Sequence, residues 1–263
     1  MKIAVYTLVR DEKEWLPVWV RYYLSQGFSP TDIYVLDQSG KDETAQQIIN
    51  CNRFLAPYGK SWNHTYMTQT LEWFQCELLR KYDIVVLTDV DEVICADPKK
   101  WPTLIDYLQQ STAPSIETNY YNIIHDTVNK EPHINFSLPL LAQRHLWVGP
   151  IKGKTYISRV PLEWNWGCHK SVPPGELTTE LRLIHGRWID REQQIGRIMR
   201  RLSNSRDFGD VFIEAGANDR TTDVEFHIDE FKRVLAGEFK YPHDPVGYIK
   251  PTEIPAEWKS IVI

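Results

Sequence analysis

The chain has 263 residues, with 30 Lys and Arg against 35 Asp and Glu and a formal net charge of −5. A chain of that length can bury a sizeable core, as one large domain or two small ones. Its mild acidity and its lack of any basic cluster argue against a nucleic-acid footprint and against a polybasic membrane anchor.

Tryptophan and tyrosine are plentiful, at 10 and 13 residues. Many of them stand beside polar residues, as in a surface that stacks sugars or nucleosides, although on composition alone core packing is the better account. The four cysteines, Cys51, Cys76, Cys95 and Cys168, show no C-x-x-C spacing, so reduced thiols are expected rather than a disulfide framework or a zinc site. The N-terminus has neither an apolar signal region nor a cleavage site, and no stretch is long enough to span a bilayer. A cytoplasmic protein is expected, with peripheral membrane association at most.

Ile3 to Val9 is apolar almost throughout and reads as a strand covered on both faces. Asp11 and Glu14 have the spacing of a capping box. The helix they would open carries Trp15, Trp19 and Tyr22 on one stripe, with Leu16, Val20 and Tyr23 beside it. Pro17 is tolerated in a first turn, and Gly27 suits a left-handed C-terminal cap. Ile33 to Leu36 is a second strand, ending in Asp37-Gln38-Ser39-Gly40. Asp42 and Glu43 read as the start of a helix to about Leu55. Trp62 to Met67 reads as a third strand, and Leu71, Phe74 and Leu78 as the stripe of a third helix.

Next comes an abrupt change of character. Ile84-Val85-Val86-Leu87 is an unbroken buried-strand run, and Thr88-Asp89-Val90-Asp91-Glu92 follows at once. Three carboxylates at the end of a buried strand repel one another and are costly to desolvate, so a positive partner is required, and a hard divalent cation is the obvious candidate. Asp89 and Asp91 project to one side if the chain is extended there. Open α/β sheets bind ligands outside this edge. The plainer alternative is a solvated acidic turn.

The alternation of strands and helices predicts right-handed βαβ units on a mostly parallel sheet. No G-x-G-x-x-G follows the first strand and no G-x-x-x-x-G-K occurs, which disfavours a dinucleotide fold and a P-loop. Asp97 and Pro98 read as cap and first residue of a helix through Leu108. Polar and apolar residues alternate from Ile116 to Ile157, as in mixed or antiparallel strands, and Arg182 to His185 reads as another strand. Two more helices are boxed by Asp190 with Gln193 and by Thr222 with Glu225. Their apolar stripes are Ile195, Ile198, Met199 and Leu202, then Val224, Ile228, Phe231 and Leu235. The Pro-rich tail from Lys240 is expected to lack regular structure. With no repeat and no linker, residues 1–263 read as one domain, with residues 1–110 as its ligand-binding half and 111–263 as its elaborated half.

Several of these segments together resemble the family 2-like glycosyltransferases, nearest to the family 92 (DUF23-type) branch. They are Val9-Arg10-Asp11-Glu12-Lys13-Glu14-Trp15-Leu16-Pro17, the helix-closing Gly27, Tyr34-Val35-Leu36-Asp37 with Ser39, Asp42 and Thr44, and Asp89-Val90-Asp91-Glu92. The chain departs from that pattern at Asp11, where asparagine is common. The likeness covers the first half well. Beyond Pro150 it rests on Lys152 to Lys154, Gly167-Cys168-His169 and Ile184-His185-Gly186.

This resemblance implies a GT-A fold and a nucleotide-diphosphate sugar donor, with a UDP-sugar favoured. The acceptor would be a glycan or lipid-linked molecule, as in polysaccharide biosynthesis. Manganese or magnesium would bridge the diphosphate as a Lewis acid. Asp91 would bind the metal directly, Asp89 the metal or the ribose, and Glu92 would stand behind them. Thr7, Arg10, Glu12 and Asp37 would hold the nucleoside. His185 would complete the metal site, with His169 as the alternative, since neutral imidazole is a competent ligand. Lys152, Lys154 and Lys170 would offset the diphosphate. An inverting reaction needs a carboxylate base, and Asp126, Glu163 and Asp190 are its candidates.

Two rival readings stand beside it. Asp89-Val90-Asp91-Glu92-Val93 also fits the nucleophile loop of haloacid-dehalogenase-like phosphohydrolases, with Asp89 attacking phosphorus. The other is a non-catalytic sugar- or nucleotide-binding module.

Overall fold

A computed structural model of the chain describes residues 1–38, 44–48, 50–56, 64–208, 224–240 and 247–263. Its strands are β1 (Ile3–Val9), β2 (Ile33–Asp37), β3 (Asn52–Leu55), β4 (Ile84–Leu87), β5 (Glu92–Ala96), β6 (Ser115–Ile124), β7 (Leu146–Ser158), β8 (Glu163–Trp164), β9 (Ser171–Val172), β10 (Glu176–Trp188) and β11 (Thr252–Glu253). Its helices are α1 (Trp15–Ser25), α2 (Thr44–Gln47), α3 (His64–Leu79), α4 (Leu104–Gln110), α5 (Arg191–Phe208), α6 (Val224–Ala236) and α7 (Ala256–Lys259).

The architecture is α/β, as expected. One sheet runs β3-β2-β1-β4-β7-β6-β10-β5, with β11 added alongside β7, and β8 and β9 form a separate hairpin. The four strands from β3 to β4 are mutually parallel. Beyond β4 the sheet is mixed: β7 is antiparallel to β4 and β6, β10 is parallel to β6, and β5 is antiparallel to β10. Strands from both halves of the chain therefore share one sheet. β1 and β4 carry apolar residues on both faces because helices cover them, and β4 is buried at all four positions.

Chain length then forces the sheet to curl. Between the end of β4 at Leu87 and the start of β5 at Glu92 lie five Cα steps, which reach at most about 18 Å. Yet β7, β6 and β10 intervene, so β4 and β5 are four strand spacings apart, about 19 Å if the sheet were flat. The acidic stretch 88–91 bridges that gap as a turn rather than as extended chain, with the Glu92 N–H donating to the Asp89 carbonyl at 3.0 Å, so β4 and β5 are drawn closer still.

The main core lies around the parallel strands and α1, where Trp19, Tyr22 and Tyr23 are fully buried. Burying such side chains contributes roughly 1.5–3 kcal/mol each. A smaller core of Ile124, Val148, Ile151, Trp188, Phe231 and Val234 lies under α6. The Arg182 guanidinium packs against the rings of Tyr121, Trp147 and Trp258 at 4.8, 4.9 and 4.1 Å, which ties α7 to the sheet. Cys51, Cys76, Cys95 and Cys168 are free thiols. Among the described residues no helix is long and apolar enough to cross a membrane.

Local structure differs from the sequence reading at several points. Asp11 is not an N-cap: its φ is 54°, and α1 begins after a turn in which the Trp15 and Leu16 N–H groups donate to the Glu12 carbonyl at 3.1 and 2.9 Å. Glu14 makes no capping bond and pairs with Arg200 at 3.1 Å. Gly27, at φ 90°, does close the helix end in the left-handed region. The helix read through Leu55 stops at Gln47, because Asn52 to Leu55 pairs with β2 as an edge strand. No strand runs to Met67, since α3 starts at His64 and already buries Thr68, one turn before Leu71. Ser39, Asp42, Glu43, Trp62 and Thr222 lie outside the described residues.

Asp97 caps a turn, accepting from the Lys99 N–H at 3.0 Å, and the helix waits for Thr103, whose hydroxyl accepts from the Asp106 N–H at 3.2 Å. Pro102 explains the delay, since it disfavours helical geometry at Trp101. Two helical stripes are rotated from the apolar pattern. On α5 Met199 is exposed while Gln194 and Arg197 are buried; on α6 His227 and Glu230 are buried beside Phe231. In both helices an ion pair draws a charged residue inward. The tail contains β11 and α7 after all.

Candidate functional site

The parallel strands β1, β2 and β4 end at one edge of the sheet. Val9 is level with Asp37, the Gln38 N–H donates to the Val9 carbonyl at 3.0 Å, and the Thr88 N–H donates to that of Tyr6 at 3.2 Å. Thr7, Asp37, Gln38 and Thr88 are buried there. The Thr88 hydroxyl accepts from the Trp19 indole at 2.8 Å, which fixes the root of the acidic bridge to α1.

Each carboxylate of the bridge has a cation of the chain's own beside it. β7 runs antiparallel to β4 and pairs Ile157 with Val86, so three residues earlier in β7 Lys154 arrives beside Asp89. Its ammonium donates to Asp89 Oδ2 at 2.8 Å, to Glu92 Oε1 at 2.9 Å and to the Tyr156 hydroxyl at 2.8 Å. Tyr156 in turn donates to Asp89 Oδ2 at 3.1 Å. β10 brings His185 level with Glu92, and the Gly186 N–H donates to the Asp91 carbonyl at 2.9 Å. His185 Nε2 stands 3.6 Å from Asp91 Oδ2 and 3.9 Å from Glu92 Oε1. From α5, Arg197 donates through one terminal nitrogen to Asp91 Oδ2 at 2.6 Å and through the other to Glu12 Oε1 at 2.7 Å.

Titration follows from these partners. Burial opposes ionisation of Asp91, but Arg197 and His185 outweigh it and hold the carboxyl well below the usual range. Asp89 is likewise lowered, its desolvation overcome by Lys154. Glu92 is raised, because burial prevails over the Lys154 charge. Burial disfavours the charged forms of Lys154 and Arg197, yet their carboxylate partners hold both cations above their ordinary values. Cys168, buried near Asp89 and Glu92, has its thiol pushed up by desolvation.

The fold thus brings Glu12, Asp89, Asp91, Glu92, Lys154 and His185 together. Thr7 and Asp37 lie on the same sheet edge, and Asp37 already bonds Arg53 through Nε at 2.8 Å. Arg10 stands 3.9 Å from Asp11. His169 follows the turn Trp166–Cys168, while the histidine paired with Asp91 is His185. Lys152 and Lys170 are exposed.

Two of the three candidate bases belong to one network: His145 pairs with both Asp126 and Glu131, and Arg144 stands 3.7 Å from Glu131 and 3.5 Å from Asp190. Asp126 accepts from the N–H groups of Val128 and Asn129, each at 3.0 Å, and lies 3.1 Å from His145. Asp190 caps α5, accepting from the Gln193 N–H at 3.1 Å, and also takes the Ile134 N–H at 2.8 Å. Both are loop-fixing groups. Glu163, on the β8–β9 hairpin, is exposed.

Sequence reasoning missed Arg197, Tyr156 and Arg53. Tyr156 lies two residues from Lys154 in one strand, a spacing that puts both on one face. Nothing in the sequence marked Arg197.

The oxygens of the bridge suit a hard cation by their chemistry. As folded, however, Asp91 is spent on Arg197 and Asp89 on Lys154. Among the described residues no group of three or more His, Cys, Asp or Glu side chains is arranged to hold a metal. Among the described residues, buried polar atoms without partners include Thr7 Oγ1, Gln38 Nε2, Glu92 Oε2, Thr118 Oγ1 and both amide atoms of Asn122. Asn122 is level with His185, and Thr118 with Lys154.

No family model and no curated protein matches the sequence. Among solved structures, S. aureus TarS aligns over 54% of this chain and 26% of its own, at 14% identity and TM-score 0.35. TarS 1-349 in complex with UDP-GlcNAc aligns over 88% and 73%, at 13% identity and TM-score 0.39. TarS 1-349 alone aligns over 94% and 76%, at 11% identity and TM-score 0.41. The chain spans about a quarter of the TarS structure and is similar to it only distantly.

Proposed function

We propose that the chain is a glycosyltransferase that takes its sugar from a nucleoside-diphosphate donor, a UDP-sugar first of all, and passes it to a glycan or lipid-linked acceptor. One observation carries this reading: an acidic bridge at the carboxyl edge of parallel strands, flanked by two buried cations and by buried polar atoms that lack partners. Native structures leave few such atoms unpaired, so a cluster of them calls for an explanation, and a ligand supplies it. The resemblance of the first half to family 2-like glycosyltransferases agrees.

In this reading Thr7 and Gln38 meet the nucleoside. Lys154 and Arg197 offset the charge that builds on the diphosphate as the glycosidic bond breaks, where fixed charges in a dry site act strongly. A divalent ion on Asp91, with Asp89 or His185, would add Lewis-acid assistance. Glu163 is the base candidate that keeps a solvent-facing carboxylate.

The test is a thermal-shift screen of UDP-, GDP- and CMP-sugars with and without Mn²⁺, since a ligand bound to the native state raises the melting point. A shift with one nucleotide class, lost in Asp91→Asn, supports the reading. No shift with any of them defeats it.

A further inference from the structure

Asn122 sits within the sheet, on β6 between β7 and β10, and is 1% exposed. Among the described residues neither polar atom of its side-chain amide has a hydrogen-bond partner. An amide donates through its nitrogen and accepts through its oxygen, so burying it unbonded is costly, and a leucine of similar size would cost less. Its neighbours across the strands explain the lack. On one side Val148 is level with it and has no polar atom to offer; on the other stands His185.

Side chains that are level with one another share a face of the sheet. His185 is level with Asn122 on one side and with Glu92 on the other, so the three form a row across β6, β10 and β5. Two strand spacings make that row about 10 Å long. Glu92 Oε2 is a further buried atom in it without a partner. Thr118, four residues before Asn122 and on the same face, is level with Lys154 and leaves its buried hydroxyl unbonded too. Between Thr118 and Asn122 comes Tyr120, whose ring stands edge-on to the His185 imidazole with centroids 6.3 Å apart.

β7 bulges twice opposite this segment. β6 advances two residues from Thr118 to Tyr120 and two more to Asn122, while β7 takes three at each step, from Lys154 to Ile151 and from Ile151 to Val148. Bulges disrupt the ladder locally and are frequent beside functional sites. The row is not sealed, since His185 keeps 18% of its side chain exposed and Tyr120 is partly exposed.

The chemistry of these atoms selects the guest. Asn122 offers an acceptor and a donor, the Thr118 hydroxyl does either, and Glu92 Oε2 adds an acceptor. A phosphate brings acceptors alone and would leave the Asn122 and Glu92 oxygens unbonded. A hydroxyl or an acetamido group both donates and accepts. We propose that this row is a sugar site, in which Asn122 reads a hydroxyl or acetamido group beside the Tyr120 ring. That the sugar is the one transferred rests on the glycosyltransferase reading; the row itself needs neither nucleotide nor metal.

The experiment has two arms, both on the full chain. Calorimetry compares UDP with UDP-hexoses and UDP-N-acetylhexosamines in wild type and in Asn122→Leu, whose folding is checked by near-UV circular dichroism; Asn122→Ala takes its place if it does not fold. The variant is expected to keep its UDP affinity within about twofold and to lose about tenfold or more for at least one UDP-sugar. An equal loss for UDP and its sugars, or no loss, overturns the proposal. The other arm uses saturation-transfer NMR with methyl glycosides of the same sugars and no nucleotide. Wild type should contact at least one of them and the variant none. If no nucleotide binds wild type, the glycosyltransferase reading has failed and the glycosides decide alone. No contact with any glycoside then leaves ordered water as the occupant and overturns the sugar site, as does equal contact in both proteins.

Discussion

Arg197 and Glu12 are 185 residues apart in the chain and 2.7 Å apart in the fold. That ion pair, together with Arg200–Glu14, joins α5 to the loop after β1. Asp91 shares the same guanidinium, so the first loop, the acidic bridge and α5 are fixed to one another.

Lys154 is nearly buried and bonds two carboxylates, one of them the 3%-exposed Glu92. Lys154→Met would leave Glu92 without its cation while keeping the aliphatic stem. Breaking one side of a buried pair costs roughly 3–5 kcal/mol. Urea unfolding should record a loss of that order, and Lys154→Met/Glu92→Met should recover most of it. A loss under about 1 kcal/mol for the single variant would mean that the ammonium is not holding the bridge.

Gly186 has no room for a side chain. A Cβ built on it would lie 1.9 Å from the Trp15 ring. Gly186→Ala must therefore shift α1 or β10, at a cost of about 1–3 kcal/mol or more. Because the Gly186 N–H bonds the Asp91 carbonyl, the proposed nucleotide affinity should fall along with stability. Trp15→Leu in the Gly186→Ala background should restore part of both, read as a positive coupling in a double-mutant cycle.

Asp126 and Asp190 each have a folded-state carboxyl below the ordinary range: burial raises them, but hydrogen bonds from Asn129 and from the N–H groups of Ile134 and Gln193 prevail. The sign follows from linkage. A depressed folded pKa contributes stability that is complete above the unfolded value, about 3.9, and is lost as pH falls through the folded value. Stability should therefore be flat with respect to these groups at neutral pH and should decline below about pH 4. Asp190→Asn should be less stable at pH 7 and should show a shallower decline in acid. An unchanged acid slope in that variant would show that Asp190 does not drive it.

Much of the parallel half was legible in the sequence. The apolar runs at Ile3 and Ile84 suited doubly covered strands, and Gly27 had the one residue type that its backbone favours. The acidic bridge stood out because charge follows a buried strand with no turn between. Lys154 and His185 were picked out through the family resemblance, and the fold sets both beside the acidic bridge. Arg197 was not, because Ile195, Ile198 and Met199 outline an apolar stripe that points away from it, and only a partner far away in the chain turns the helix. The edge strand β3 was missed for a similar reason: its residues gain extended structure only by pairing with β2. Asp11 and Glu14 had the right spacing for a cap, but the turn at Glu12 had already supplied the bonds.

The short, turned connection from Leu87 to Glu92 works as a ruler written into the chain. Its few residues set how wide the half-sheet can open, and so how large a guest the mouth admits. Two glycines inserted after Val90 would let the rim relax. The enlarged opening should then accept bulkier guests while gripping small ones less firmly.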